Sequence, residues 1–311
     1  MSAVPDQNID SPRGFTYALC TYLIWGLMPI YMKALAHIPA PEVIAHRVIW
    51  SLPIAAAVLF WQGRSDDVIA ALRNPRMLAM AALTAVLISV NWLTYVWAVG
   101  NGHALDAALG YYINPLFSIL LGATLLGERL SRLQWIAIGL AAIAVVILTM
   151  QSGKLPIVAV ILMISWGLYA YCKKRLPLGA NQGFTLEVLL LLPAALAYLG
   201  WLAVAEGRIF GDGSSFDIMM LMGCGVITAV PLLLYANAAK LLRLSTIGIM
   251  QYITPTMIML VAVLLFDEPF GAARMAAFPL IWIGMVLYSI SLVRQAGDRR
   301  RRRDDLTKRM Q

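Results

Sequence analysis

The sequence predicts an all-α integral membrane protein of ten transmembrane helices, arranged as two inverted five-helix repeats. Three observations predict it: the composition, the recurrence of apolar runs, and a pattern that returns after 140 residues. Hydrophobic residues make up 61% of the chain and charged residues 13%. Soluble domains carry about 25% charged residues, so a surface this poor in charge must face lipid. Apolar runs of about 20 residues, the length that crosses a bilayer as a helix, recur along the whole chain. Helices are expected because a membrane-spanning backbone must satisfy its own polar groups, which only helices and closed barrels do.

Ten apolar segments follow in order, over 14–35, 42–61, 76–99, 105–126, 132–150, 155–173, 184–204, 216–239, 244–265 and 274–293. The loops between them are short and leave no room for a soluble domain. Residues 1–13 form an N-terminal tail, 14–150 a first repeat, 155–293 a second, and 294–311 a basic tail. The N-terminal stretch lacks the basic region and small-residue cleavage site of a signal peptide, so the first segment is expected to stay attached. Cys20, Cys172 and Cys224 sit in apolar runs without metal-site spacing and read as packing residues.

The net charge of +8 is concentrated in eight Lys and Arg residues between Arg294 and Arg309. A basic cluster directly after a membrane helix is a cytoplasmic anchor near anionic headgroups, which makes the lipid bilayer, and not nucleic acid, the partner it implies. With the N-terminus inside, the inner connections hold Arg13, Arg64, Arg73, Arg76, Arg129, Arg132, Lys173, Lys174, Arg175, Lys240 and Arg243. The outer ones hold Lys33, Arg47, Lys154, Arg208 and Arg274. This asymmetry places both termini in the cytoplasm.

The repeat appears when Tyr95–Arg129 is laid on Tyr235–Pro269 with a shift of 140 residues. Tyr95 then falls on Tyr235, Tyr112 on Tyr252, Ile113 on Ile253, Pro115 on Pro255 and Glu128 on Glu268. Trp25-Gly26-Leu27 is echoed by Trp166-Gly167-Leu168 at a shift of 141. Five helices per copy is an odd number, so the second copy enters the membrane from the other side. Inverted repeats of this kind characterise secondary transporters.

These residues carry a resemblance. Asn91-Trp92-Leu93-Thr94 with the stretch after it, Ala45-His46-Arg47, and Gln251-Tyr252-Ile253 followed by Pro255-Thr256 resemble the RarD branch of the EamA family, in the drug/metabolite transporter superfamily. The resemblance covers roughly residues 14–293. It implies a bacterial inner-membrane protein with a central cavity, alternating access and a small-molecule substrate.

Read from their own chemistry, the prolines come first. A proline has no N–H, so the carbonyl four residues earlier loses its helical partner. Pro29, Pro115 and Pro255 free the carbonyls of Trp25, Tyr111 and Gln251, and such groups need a donor in lipid. Tyr111, Tyr112, Asn114, Gln251, Tyr252 and Thr254 are therefore expected around a polar, aromatic cavity between the halves; the alternative is kinks that serve packing alone. Asn91 and Tyr95 share a helical face and, with Tyr235, Trp25 and Trp166, join the candidate cavity lining, against a reading as helix–helix contacts.

Glu42, His46 and Arg47 form the most charged cluster inside an apolar run. Arg47 lies about 7 Å below the start of its helix, at 1.5 Å per residue. It is expected to recognise an anionic group, or to gate through Glu42 or Asp106, or to snorkel to the interface. Glu128 and Glu268, at helix ends where the dipole disfavours a carboxylate, are expected to pair with a neighbouring base or loop amide. No Asp or Glu lies mid-membrane; Glu187 comes nearest, so proton coupling would fall to His46, Glu187 or Asp106. The sequence implies no cofactor and no metal. It speaks for a secondary transporter of amphipathic or amino-acid-like solutes over a membrane enzyme, which would cluster His, Asp or Glu, and over a scaffold or sensor. Substrate identity, direction, coupling and oligomeric state stay open.

Overall fold

The computed structural model describes residues 11–127, 130–242 and 244–309. Its elements are all helical: α1 (Pro12–Ala34), α2 (Ala40–Trp61), α3 (Ser65–Arg73), α4 (Pro75–Gly100), α5 (Ala104–Leu126), α6 (Arg132–Ser152), α7 (Ile157–Arg175), α8 (Ala180–Ala205), α9 (Ser215–Leu241), α10 (Leu244–Met250), α11 (Ile253–Leu264) and α12 (Ala272–Arg309). Among the described residues ten helical spans are long and apolar enough to cross a membrane, with α10 and α11 forming one of them and α3 none.

Polarity is inverted relative to a soluble bundle. Along α4, Leu83, Val86, Val90, Leu93 and Trp97 are exposed, while Thr84, Asn91 and Tyr95 are buried. An apolar exterior around a polar seam is what lipid selects, because a polar group facing hydrocarbon goes unsatisfied. Local signals set the helix ends. Asn74 caps α4, its Oδ1 accepting from the amides of Arg76 (3.1 Å) and Met77 (3.2 Å). Ser131 and Gln134 form a capping box at the start of α6, the reciprocal arrangement that satisfies two orphan donors at once. Gly127 and Gly153 follow α5 and α6 in the left-handed region, which glycine enters without a Cβ penalty.

The packing obeys the inverted repeat. The mates are α1/α7, α2/α8, α4/α9, α5/α10–α11 and α6/α12. The larger contacts recur with their mates: α1 on α9 as α7 on α4, α1 on α11 as α7 on α5, α2 on α9 as α8 on α4. Three pairs, α2 with α8, α5 with α11 and α6 with α12, are their own mates and therefore lie about the pseudo-two-fold. The Trp-Gly-Leu echo belongs to the same scheme. A Cβ on Gly26 would come within 2.5 Å of Met257 Cβ, and one on Gly167 within 2.5 Å of Phe117 Cδ1. Met257 and Phe117 are themselves 140 residues apart, so both glycines let equivalent helices approach closely.

Two features depart from the expected elements. α3 is a short helix whose Val68 and Ala71 are buried against α4 and α8; it is too short and polar to register as a spanning segment. Of the three prolines expected to disturb their helices, Pro29, Pro115 and Pro255, only Pro255 lies beside an interruption. α5 runs unbroken through Pro115 and α1 through Pro29, whereas the chain turns at Gln251 and Tyr252 between α10 and α11. Pro255 then falls in the first turn of α11, where a missing N–H costs nothing.

The bundle has a termini face, carrying the start of α1, and an opposite face with the α1–α2, α4–α5, α8–α9 and α11–α12 turns. Towards the opposite face one buried core joins both repeats through α1, α2, α4, α5, α7, α9 and α11. Towards the termini face the described residues pack in separate clusters, one in α1, α9 and α10 and another in α2, α3, α4 and α8, beside a third that joins α5, α6 and α12.

Candidate functional site

The polar centre is built on α2. Arg47 faces the bundle interior at 3% exposure. Its Nε donates to Thr228 Oγ1 on α9 at 3.0 Å, and its guanidinium carbon lies 4.5 Å from the Trp92 ring centre on α4, a cation–π contact. Thr228 is fixed in turn, because its hydroxyl donates to the Cys224 carbonyl at 2.7 Å. Tyr95, Tyr111 and Cys224 lie close enough to interact electrostatically with the guanidinium. Nη1 of Arg47 and the hydroxyl of Tyr95 are buried and have no hydrogen-bond partner among the described residues.

Beside Arg47 stands a saturated network. The Tyr111 hydroxyl donates to Asn91 Oδ1 at 3.2 Å. Asn91 Nδ2 donates to the Leu162 carbonyl (3.1 Å) and Ser165 Oγ (3.0 Å) on α7. Tyr95 and Tyr111 pack with ring centres 5.8 Å apart. Of the expected lining residues, the structure thus gathers Asn91, Tyr95 and Tyr111 around Arg47. It adds Trp92, Ser165, Cys224 and Thr228, which sequence reasoning did not single out as site residues. A lone Ser, Thr or Cys in an apolar run signals nothing by itself; the only prior sign was Trp92 in the motif.

The other aromatic residues lie elsewhere. Trp25 packs on Tyr235 (5.8 Å) and Tyr22 (6.0 Å) between α1 and α9, and Thr254 Oγ1 donates to the Tyr22 carbonyl at 3.1 Å. Trp166 packs on Tyr169 at 5.7 Å within α7. Gln251 turns back on its own helix, its Nε2 donating to the Gly248 carbonyl at 3.0 Å. Tyr112 is fully buried and crosses from α5 to α11, its hydroxyl bonded to Thr256 Oγ1 at 2.8 Å. Tyr252 shares that core with Phe278 and Tyr288 of α12, and with Ile249 and Met285 it lines a groove of about 610 Å³. Asn114 is buried, and its Oδ1 has no partner among the described residues.

The charged candidates separate, and the gating pairs expected for Arg47 do not form. Glu42 and His46 point away from Arg47, toward the α8–α9 turn. Glu42, fully buried, accepts from the Gly211 amide at 2.6 Å and from Arg208 Nη1 at 3.4 Å. His46 Nε2 lies 2.7 Å from the Ile209 carbonyl, and its Nδ1 accepts from Trp50 Nε1 at 3.2 Å. A carbonyl needs a donor and an indole N–H an acceptor, so the ring is held as the neutral Nε2–H tautomer. Asp106 accepts from Arg274 Nη2 at 2.9 Å and pairs with His103 at 3.2 Å. Adjacency in sequence misleads because neighbours on a helix point about 100° apart.

Near the termini face, Glu187 is buried and pairs with Lys173 Nζ at 2.6 Å and the Tyr169 hydroxyl at 3.2 Å. Glu268 accepts from the amides of Ala104 (2.7 Å) and Leu105 (2.9 Å) at the start of α5, so its partners are helix amides and not a base or a loop amide. Its repeat mate Glu128 lies outside the described residues. A grouping that spacing alone did not reveal is His37, Asp212 and Asp217, whose ligand atoms lie within 4.8 Å of one another. Asp217 already spends one oxygen on His37 (3.0 Å) and the other on the Asp212 amide (3.2 Å).

The chain matches known proteins over most of its length. The EamA-like transporter family matches residues 12–150 and 154–290, once per repeat. A Vibrio cholerae protein called an uncharacterized transporter is 40% identical over 303 residues, covering 97% of this chain and 100% of its own. Protein RarD of Salmonella typhimurium is 40% identical over 281 residues, covering 90% of this chain and 96% of its own. A solved crystal structure aligns with 90% of this chain and 98% of its own at a TM-score of 0.60 and 16% identity, which speaks for the fold alone. With two matched repeats, ten apolar spans and such relatives, this multi-pass membrane protein belongs to the EamA-like transporter family.

Proposed function

We propose that the chain is a secondary transporter of small organic solutes, amphipathic or amino-acid-like, working by alternating access between its two repeats in a bacterial inner membrane. The observation that carries the reading is the unequal packing of the two faces. One core knits both repeats together toward the opposite face, and among the described residues the termini face packs in separate clusters. Because the repeats are inverted mates, exchanging their packing modes would close the divided face and open the knitted one, with the polar centre accessible in turn. The charge asymmetry of the connections supports a cytoplasmic termini face, on which reading this state is one closed to the outside.

A membrane enzyme is the weaker reading. His46 is committed to Ile209 and Trp50, His37 to Asp217 and His103 to Asp106, so each histidine is engaged by a partner within the fold. Purified protein in liposomes, given a panel of labelled amino acids and amphipathic metabolites, is expected to show uptake, efflux or exchange of at least one. Inactivity toward the whole panel, with insertion verified, would overturn the proposal.

A further inference from the structure

We propose that Arg47 and Tyr95 together form a receptor for a carboxylate, so that the solute carried is a small organic anion or zwitterion with an apolar body. This rests on the transporter reading above. It begins from a charge that the protein leaves unbalanced. Arg47 is 3% exposed, and burying a cation without a counter-ion costs several kcal/mol. The two acids expected to answer it, Glu42 and Asp106, are engaged elsewhere, Glu42 with Gly211 and Arg208 and Asp106 with Arg274 and His103; Glu187 is held by Lys173. Among the described residues Arg47 makes no ion pair. An intramembrane ionisable group that faces the bundle interior in this way marks a substrate path more often than a structural need.

The unused valences define the ligand. On Arg47 the Nε is taken by Thr228 and the ring face by Trp92, while Nη1 stays unpartnered. The Tyr95 hydroxyl is unpartnered as well. The neighbouring Asn91 and Tyr111 are bonded to each other and to α7, so they are rigid walls and not free contacts. What remains without a partner among the described residues is the cationic Nη1 group and the Tyr95 hydroxyl, beside the rings of Trp92 and Tyr111. Two donors call for an acceptor with two oxygens and a negative charge, and a carboxylate supplies both. A cation would be repelled. A phosphate dianion would want converging Arg or Lys side chains, and here one cation stands among neutral groups. The aromatic walls suit an apolar body behind the carboxylate.

The test uses purified full-length protein in lipid nanodiscs and follows thermal unfolding, because a ligand that binds the folded state raises the melting temperature. The probes are butyrate, 3-phenylpropionate and phenylalanine, each against its matched amide, with sodium chloride at equal ionic strength. Carboxylates are expected to stabilise the wild type beyond amide and chloride. Arg47→Gln should weaken carboxylate binding about 10- to 100-fold, the loss of a charge-assisted bond. Tyr95→Phe should weaken it several-fold without moving the melting temperature of the unliganded protein, since its hydroxyl has no bond to lose. Where Arg47→Gln does not fold, Tyr95→Phe and Arg47→Lys decide the matter, the lysine keeping charge but losing the forked donors. The proposal is overturned if amides or chloride match the carboxylates, if no carboxylate stabilises the wild type, or if Tyr95→Phe and the Arg47 variants bind as the wild type does. Transport of neutral solutes in liposomes without carboxylate binding would sink the receptor and leave the transporter. Carboxylate binding without any flux would support the receptor and sink the transporter.

Discussion

Replacing Glu268 by Gln is expected to cost the folded protein about 3–4 kcal/mol, and the structure shows where that cost arises. The carboxylate is 6% exposed and receives two backbone amides, from Ala104 at 2.7 Å and Leu105 at 2.9 Å. Both belong to the start of α5, where the helix leaves amides without partners and the dipole favours negative charge. A glutamine keeps one oxygen, so one bond survives in neutral form, a loss of about 1 kcal/mol. The other amide meets an NH2 group, loses a charge-assisted bond worth about 1.5–3 kcal/mol and stays orphaned. The helix-end charge adds about 0.3–1 kcal/mol, part of it already counted in the bonds. Unfolding in mixed micelles of rising SDS content, read by tryptophan fluorescence, measures the difference. Glu206→Gln is the control: Glu206 pairs with Arg208 on the exterior and its loss should leave the transition in place. A Glu268→Gln transition within about 1 kcal/mol of the wild type would refute the clamp.

Three further outcomes are expected. A Cβ on Gly225 would penetrate the Trp50 carbonyl of α2, so Gly225→Ala should destabilise by about 1–3 kcal/mol or more; Gly139→Ala, with open space around it, should be neutral or gain about 0.5–1 kcal/mol, both read by the same unfolding assay. Glu187→Gln strands Lys173, whose side chain is 21% exposed, and should cost about 2–3 kcal/mol; Lys173→Met with Glu187→Leu should recover most of it in a double-mutant cycle. A fluorescent-protein fusion after Gln311 should glow and an alkaline phosphatase fusion there should stay inactive, as the charge asymmetry of the connections requires.

The architecture was legible because lipid imposes strong rules on composition. Ten spans, the repeat and its inversion follow from apolar length, Tyr-Ile-x-Pro recurring, and an odd helix count. The small amphipathic α3 was not, since nine residues with Asp66 and Asp67 at their start give no spanning signal. The centre was legible in part. Asn91, Tyr95 and Arg47 stood out because polar groups in lipid are costly, but which partners they meet depends on helix rotation, which a pattern of apolar residues leaves loose when every face is apolar. So Glu42 and His46 were grouped with Arg47 by proximity along the chain, although they point to another wall. The prolines misled for a related reason: Pro115 is absorbed by a continuous helix, and Pro255 sits where a helix begins.

The paired glycines give the molecule an internal reference. Gly26 against Met257 and Gly167 against Phe117 are one contact made twice in opposite senses across the membrane. A substitution at either site is therefore opposed by an unaltered copy in the same chain. Alanine at Gly26 and alanine at Gly167 perturb the same joint on different sides, and the gap between their effects reads the imbalance of the two faces directly. A protein built from identical halves would show none, so the size of that gap measures how far the copies have diverged into separate jobs.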